Sequence, residues 1–138
     1  MNSFSVTQQL HFCYGHRLLD CPGKCAHLHG HNAVAELTFE KTSLDQRGMV
    51  VDFNEIKDKL RSWIETTLDH KLMLREDDPL AAPLEKLGEP VFRLAGNPTA
   101  ENIAQLLFEK AQSFGLPVVK VKLWETPTQF AIYRKAKN

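Results

Sequence analysis

The chain has 138 residues, and its 17 Lys and Arg are balanced by 17 Asp and Glu, so the formal charge is zero. A composition of 43% hydrophobic and 25% charged residues is that of a globular protein, and the length fits a single domain, 1–138, around one core. Zero net charge excludes a protein that holds nucleic acid or an anionic membrane through its overall field; a polyanion must be met by a local cluster or a bound metal.

Met1–Leu10 has no basic region leading into an apolar core, and no apolar run approaches the roughly 18 residues of a membrane span. Cys13, Cys21 and Cys25 make no disulfide framework, so a reduced, cytoplasmic protein is expected. Phe4, Val6, Leu10 and Phe12 alternate with polar neighbours, the period-2 pattern of a half-buried strand. Ala33, Ala35, Leu37 and Phe39 predict a second strand, with Val34, Glu36, Thr38 and Glu40 on its other face. Asp52 with Glu55 is the capping signature of a helix whose stripe is Phe53, Ile56, Leu60, Ile64 and Leu68. Leu72 to Asn97 is rich in proline and charge and reads as a long surface connection with one short helical turn.

Thr99, after Pro98, opens a second helix with the stripe Ile103, Leu106, Leu107, Ala111 and Phe114, stopped by Gly115 and Pro117. Val119, Val121 and Leu123 alternate with lysines in a third strand, and Phe130 to Tyr133 form a fourth after the Thr126–Pro127–Thr128 turn. The order ββααββ predicts an α+β fold, a four-stranded antiparallel sheet with both helices on one face. Its open edges and uncovered face predict self-association.

Five of the six histidines, His11, His16, His27, His29 and His31, fall close to the three cysteines, and only His70 lies apart. In Cys25-Ala-His-Leu-His29-Gly-His31, residues two apart on an extended chain share a face, so His29 and His31 can present both imidazoles to one ion. Parity alone does not choose the pair, because Cys25 and His27 share it, and the third nitrogen can come from His11 or His16. Three neutral nitrogens with a vacant position suit a catalytic Zn²⁺, whereas a thiolate as fourth ligand would make a closed structural site.

These segments resemble the 6-pyruvoyl-tetrahydropterin synthase and 6-carboxy-tetrahydropterin synthase family. The resemblance is carried by His16-Arg17-Leu18, Cys25-x3-His29-Gly30-His31, Gly48-Met49-Val50-Val51-Asp52-Phe53, Asp69-His70, Pro98-Thr99-Ala100-Glu101-Asn102 and Trp124-Glu125-Thr126, in the family's order over nearly the whole chain. The three-residue gap after Cys25 is similar to the bacterial 6-carboxy branch. The resemblance implies zinc held by His16, His29 and His31, Cys25 as catalytic thiolate activated by Asp69 and His70, and Glu125 as anchor of the pterin ring. It further implies a tunnelling fold (T-fold) in a homo-hexamer of two stacked trimers, whose sheets close into a barrel with sites at subunit interfaces. The implied reaction converts 7,8-dihydroneopterin triphosphate to 6-carboxy-5,6,7,8-tetrahydropterin, in the route to queuosine, with 6-pyruvoyl-tetrahydropterin synthesis or a non-catalytic zinc module as rivals. Gly15, where the family commonly has alanine, and the length of Leu74–Asn97 depart from the pattern.

Each implied role has a physical basis. A cysteine reacts as thiolate, and a histidine held by an aspartate can take its proton, here at a helix C-terminus that favours positive charge. Glu125 continues the parity of Val121 and Leu123, and a carboxylate there can accept two parallel donors from a pterin's N–C–N edge. Thr99 has a structural role as helix cap, with substrate contact an addition, and Trp124 falls on the opposite face. Arg17 and Lys24 against Asp20 leave a local surplus of positive charge, expected to receive the phosphates of the substrate.

Overall fold

A computed structural model describes residues 1–136. The strands Phe4–His16 (β1) and His29–Lys41 (β2) pair antiparallel along their whole length. Their alternation places Leu10, Phe12, Tyr14 and His16 on the buried face of β1, and Ala33, Ala35, Leu37 and Phe39 on that of β2. Register sets small against large, with Ala35 opposite Leu10 and Ala33 opposite Phe12. Continuing that register, His31 lies opposite Tyr14 and His29 opposite His16.

Val118–Thr126 (β5) and Gln129–Arg134 (β6) extend the sheet beyond β2 as an antiparallel hairpin. Between Thr38 and Phe39 the pairing with β5 shifts register, so Val118 rather than Val119 is buried, alongside Val121 and Leu123. The expected buried alternation from Val119 therefore breaks at a bulge.

The larger departure is at Leu72–Asn97, expected as a surface connection. Lys71–Arg75 (β3) and Val91–Leu94 (β4) extend the sheet on the other side of β1, both in parallel, and Ala81–Lys86 forms a short helix (α2) between them. The full order is β4-β3-β1-β2-β5-β6, six strands instead of the expected four. Met73, Leu74, Ala81 and Leu94 are buried, so this segment is partly core.

One helical rod, α1, runs as α-helical Phe53–Ile56, π-helical Lys57–Arg61 and α-helical Ser62–Thr67. Asp52 caps it through the Asn54 N–H, while Glu55 pairs with Lys59 instead of reaching back to complete a capping box. Ile56, Leu60, Ile64 and Leu68 are buried, but Phe53, at the first turn, is 49% exposed. The helix Ala100–Ser113 (α3) buries Ile103, Ala104, Leu107, Phe108 and Ala111, with Leu106 and Phe114 half-buried at its margin. Its N-cap is Thr99, and Gly115 at φ +78° follows its end. Both long helices join the single core cluster formed with the buried face of the sheet, as expected for an α+β layer. Among the described residues no helix is long and apolar enough to cross a membrane.

Candidate functional site

The β1–β2 register carries three imidazoles to one end of the helix-covered face, where the ligand atoms of His16, His29 and His31 all lie within 4.8 Å of one another. The third histidine is thus His16; His11 is exposed on the other face of β1, and His27 is exposed ahead of β2. His16 Nδ1 donates to the Pro98 carbonyl at 2.7 Å, and His29 Nδ1 donates to the His27 carbonyl at 2.8 Å. These bonds set the tautomer and leave each Nε2 with a bare lone pair. The two Nε2 atoms then face each other at 3.0 Å, which is repulsive unless a cation lies between them. Nitrogens around a tetrahedral zinc with Zn–N of about 2.0–2.1 Å stand about 3.3 Å apart, so the spacing of this pair is near that of two ligands to one such ion. Burial lowers the His16 pKa despite the Pro98 hydrogen bond, favouring the neutral ring that a metal needs.

Glu125 joins this group. Its Oε2 is 3.9 Å from His31 Nε2, and its Oε1 accepts a hydrogen bond from the Tyr14 hydroxyl at 3.0 Å. Tyr14 is buried, with its ring edge-on to His16 at 5.1 Å and 5.8 Å from His31. Burial, reinforced by the Glu125 charge and hydrogen bond, raises the Tyr14 pKa well above the ordinary phenol value, so its proton stays in place as a donor. Sequence reasoning passed over Tyr14, although its parity with Phe12 and His16 put it on this face.

Asp69 and His70 follow α1 and dock on β1. Asp69 Oδ1 accepts the Cys13 N–H at 2.9 Å, and the His70 N–H donates to the Cys13 carbonyl at 2.8 Å. This clasp holds His70 at φ 62° and sets its Nδ1 2.9 Å from Asp69 Oδ2. Burial pushes the Asp69 carboxyl up, but the Cys13 N–H and His70 outweigh it and hold it below the ordinary value. The His70 side chain is 79% exposed, so its Nε2 is presented outward.

Cys25 sits in the 3-10 turn Gly23–Ala26 and is joined to Cys21 by a disulfide, Cα to Cα 6.2 Å. The expectation of three reduced cysteines, with Cys21 as an ordinary small residue, is corrected here: the turn brings residues four apart face to face, and Cys13 alone is free. The Cys25 carbonyl accepts the Leu18 N–H at 2.9 Å, and within one chain, among the described residues, Cys25 makes no hydrogen bond or ion pair with Asp69 or His70. His29, His31 and His70 nevertheless border one open cleft of about 580 Å³.

Thr99 serves as cap, its Oγ1 accepting the Asn102 N–H at 3.1 Å. Next to it, the Asn97 side chain accepts the Leu19 N–H and donates to the Leu19 carbonyl, both at 2.9 Å. Arg17, expected to receive phosphates, is already paired: its guanidinium donates to the buried Asp78 carboxylate at 2.8 and 2.5 Å. That partner comes from the segment misread as a surface connection, and among the described residues Lys24 is the cation of the predicted cluster with no ion pair.

The family described as 6-pyruvoyl tetrahydropterin synthase matches residues 5–136. The chain is similar to the 6-carboxy-5,6,7,8-tetrahydropterin synthase of Rickettsia bellii, 40% identical over 134 residues that cover 90% of this chain and 95% of that protein. Among solved structures, an uncharacterised protein of Wolinella succinogenes superposes with TM-score 0.82 at 26% identity, covering 99% of this chain and 100% of that one. The 6-pyruvoyl tetrahydropterin synthase of Caenorhabditis elegans superposes with TM-score 0.73 at 25% identity, covering 99% and 98%.

Proposed function

The chain belongs to the 6-pyruvoyl tetrahydropterin synthase family, and on that premise we propose that it is a zinc-dependent lyase that forms 6-carboxy-5,6,7,8-tetrahydropterin from 7,8-dihydroneopterin triphosphate, releasing acetaldehyde and triphosphate. The observation that carries the reading is the pair of unprotonated Nε2 atoms facing each other beside a carboxylate oriented by Tyr14. The 6-carboxy product is favoured over the pyruvoyl one by the Rickettsia bellii relative and by the three-residue gap between Cys25 and His29.

His16, His29 and His31 would hold the zinc ion, which when bound supplies Lewis acidity to the side-chain hydroxyls of the substrate. Glu125 accepts the two donors of the pterin N–C–N edge with whichever lone pairs the Tyr14 bond leaves free, and so fixes the ring relative to the histidines. Cys25, once its bond to Cys21 is reduced, moves the proton at the side chain as thiolate, and His70, oriented by Asp69, accepts or returns it. Because Cys25 and the Asp69–His70 pair are apart within one chain, the reading places them together across a subunit interface. It includes a cytoplasmic homo-hexamer of two trimers, in which a second copy brings the pair to Cys25. Exclusion of Cys25 from the histidine group, among the described residues, favours an open metal site over a closed structural one.

Incubation with dihydroneopterin triphosphate tests the proposal, with products read by mass and acetaldehyde by reduction coupled to NADH. The expected result is the 6-carboxy product and one acetaldehyde per turnover; a pyruvoyl product without acetaldehyde would overturn the choice of branch.

A further inference from the structure

We propose that Cys21 and Cys25 form a reversible thiol-oxidation site, in which a peroxide-class oxidant caps the reacting thiol and a dithiol reductant releases it. The inference rests on the reading of Cys25 as that thiol, and its own observation is the Cys21–Cys25 bond.

A disulfide that supports a fold ties distant segments or separate elements together. This one spans a sequence separation of 4 and ends within a 3-10 turn, Gly23–Ala26, that has no buried residue, so the core does not depend on it. The surrounding loop is held from outside the bridge, by the Leu18 N–H on the Cys25 carbonyl at 2.9 Å and by the Asn97 side chain on Leu19. Between the cysteines Gly23 has φ +85° with nothing within 4 Å of where a Cβ would stand, so the turn has room to change when the bond opens. The bond therefore has a small structural effect and a large chemical one: while it exists, Cys25 has no thiolate.

The chemistry balances with hydrogen peroxide. The Cys25 thiolate attacks one peroxide oxygen, the O–O bond breaks, and the leaving hydroxide takes a proton to become water. The Cys21 thiolate then attacks the Cys25 sulfur, the S–O bond breaks, and the second hydroxide departs as water. Two thiols lose two electrons to one peroxide. Cys13 is free but lies on β1 with its sulfur beside Asp69 and His70, so its own tryptic peptide, 1–17, is followed separately.

The test uses the full chain, wild type, Cys21→Ser and Cys25→Ser, each reduced and then exposed to peroxide. Trypsin cuts after Lys24, so only the oxidised pair keeps peptides 18–24 and 25–41 together, lighter by two hydrogens than the separate peptides. The expected wild-type result is this linked species, a parallel loss of turnover of about tenfold or more, and recovery with dithiothreitol. Cys21→Ser is expected to match wild type when reduced, yet to lose activity in peroxide without forming the linked species and without full recovery. Linked peptides with undiminished turnover would overturn the cap, and turnover retained by Cys25→Ser would show that the reading of Cys25 itself had failed. Absence of the linked species, with Cys25→Ser inactive, would overturn the oxidation site and leave the catalytic reading standing.

Discussion

Replacing Arg17 with Met separates a structural ion pair from the chemistry near it. Asp78 has a side chain with 0% exposure, and beside Arg17 its carboxylate accepts, among the described residues, only the Leu80 N–H, at 2.9 Å. Removing one partner of a buried pair costs about 3–5 kcal/mol because the other charge is left without compensation. Arg17 is itself 19% exposed, so water can partly replace it, and the low end, about 3 kcal/mol, applies. With an unfolding entropy of roughly 2.1 cal/mol/K per residue, a chain of this length loses about 10 °C of Tm.

The dependence on pH has a fixed sign. Arg17 holds the Asp78 carboxyl below its ordinary value, against the opposing effect of burial. A carboxyl depressed on folding stabilises the protein above its unfolded pKa, about 3.9, and that contribution disappears as pH falls through the folded value. Circular dichroism melts at pH 7 should therefore separate wild type from Arg17→Met, and the gap should close on acidification below about pH 4. A variant that melts within about 2 °C of wild type at pH 7, or a gap unchanged at pH 3, would refute the reasoning.

Tyr14→Phe keeps the ring and removes the donor to Glu125; a hydrogen bond to a charged group is worth about 1.5–3 kcal/mol, so KM for the pterin should rise about tenfold or more with metal content unchanged. His16→Ala should reduce bound zinc, measured by elemental analysis, to below about one tenth of wild type, and should abolish the rise in Tm expected when zinc is added to the wild-type protein. Glu125→Gln exchanges two acceptors for one acceptor and a clashing donor; pterin binding followed by fluorescence should weaken about 30-fold or more while zinc stays bound.

What was legible in the sequence depended on periodicity. β1, β2, α1 and α3 declare themselves because each has one wet and one dry face, and His29 and His31 inherit their orientation from the strand they begin. β3 hides for the opposite reason: Leu72-Met73-Leu74 is an apolar run without alternation, and its parallel pairing with β1 joins residues far apart in the chain. The ion pair of Arg17 went unforeseen in consequence, since its partner Asp78 lies in the same unread segment. Val119 failed because a bulge changes parity within a strand, which composition does not mark. Family resemblance singled out His16 over His11, and it is His16 that groups with His29 and His31, but the bond between Cys21 and Cys25 had no counterpart in it.

Asn97, Pro98 and Thr99 each secure something different: the Leu19 backbone, the His16 imidazole and the first turn of α3. Three consecutive residues thus make a shared fastening for the Cys21–Cys25 loop, one ring of the histidine group and a helix. Fraying of α3 at its start loosens the carbonyl that sets the His16 tautomer, so metal affinity and helix-end opening are thermodynamically linked. Metal binding should accordingly slow hydrogen exchange at the Asn102 amide, which lies beyond the site and is bonded to Thr99. The first turn of α3 is in this sense a remote reporter of occupancy among the histidines.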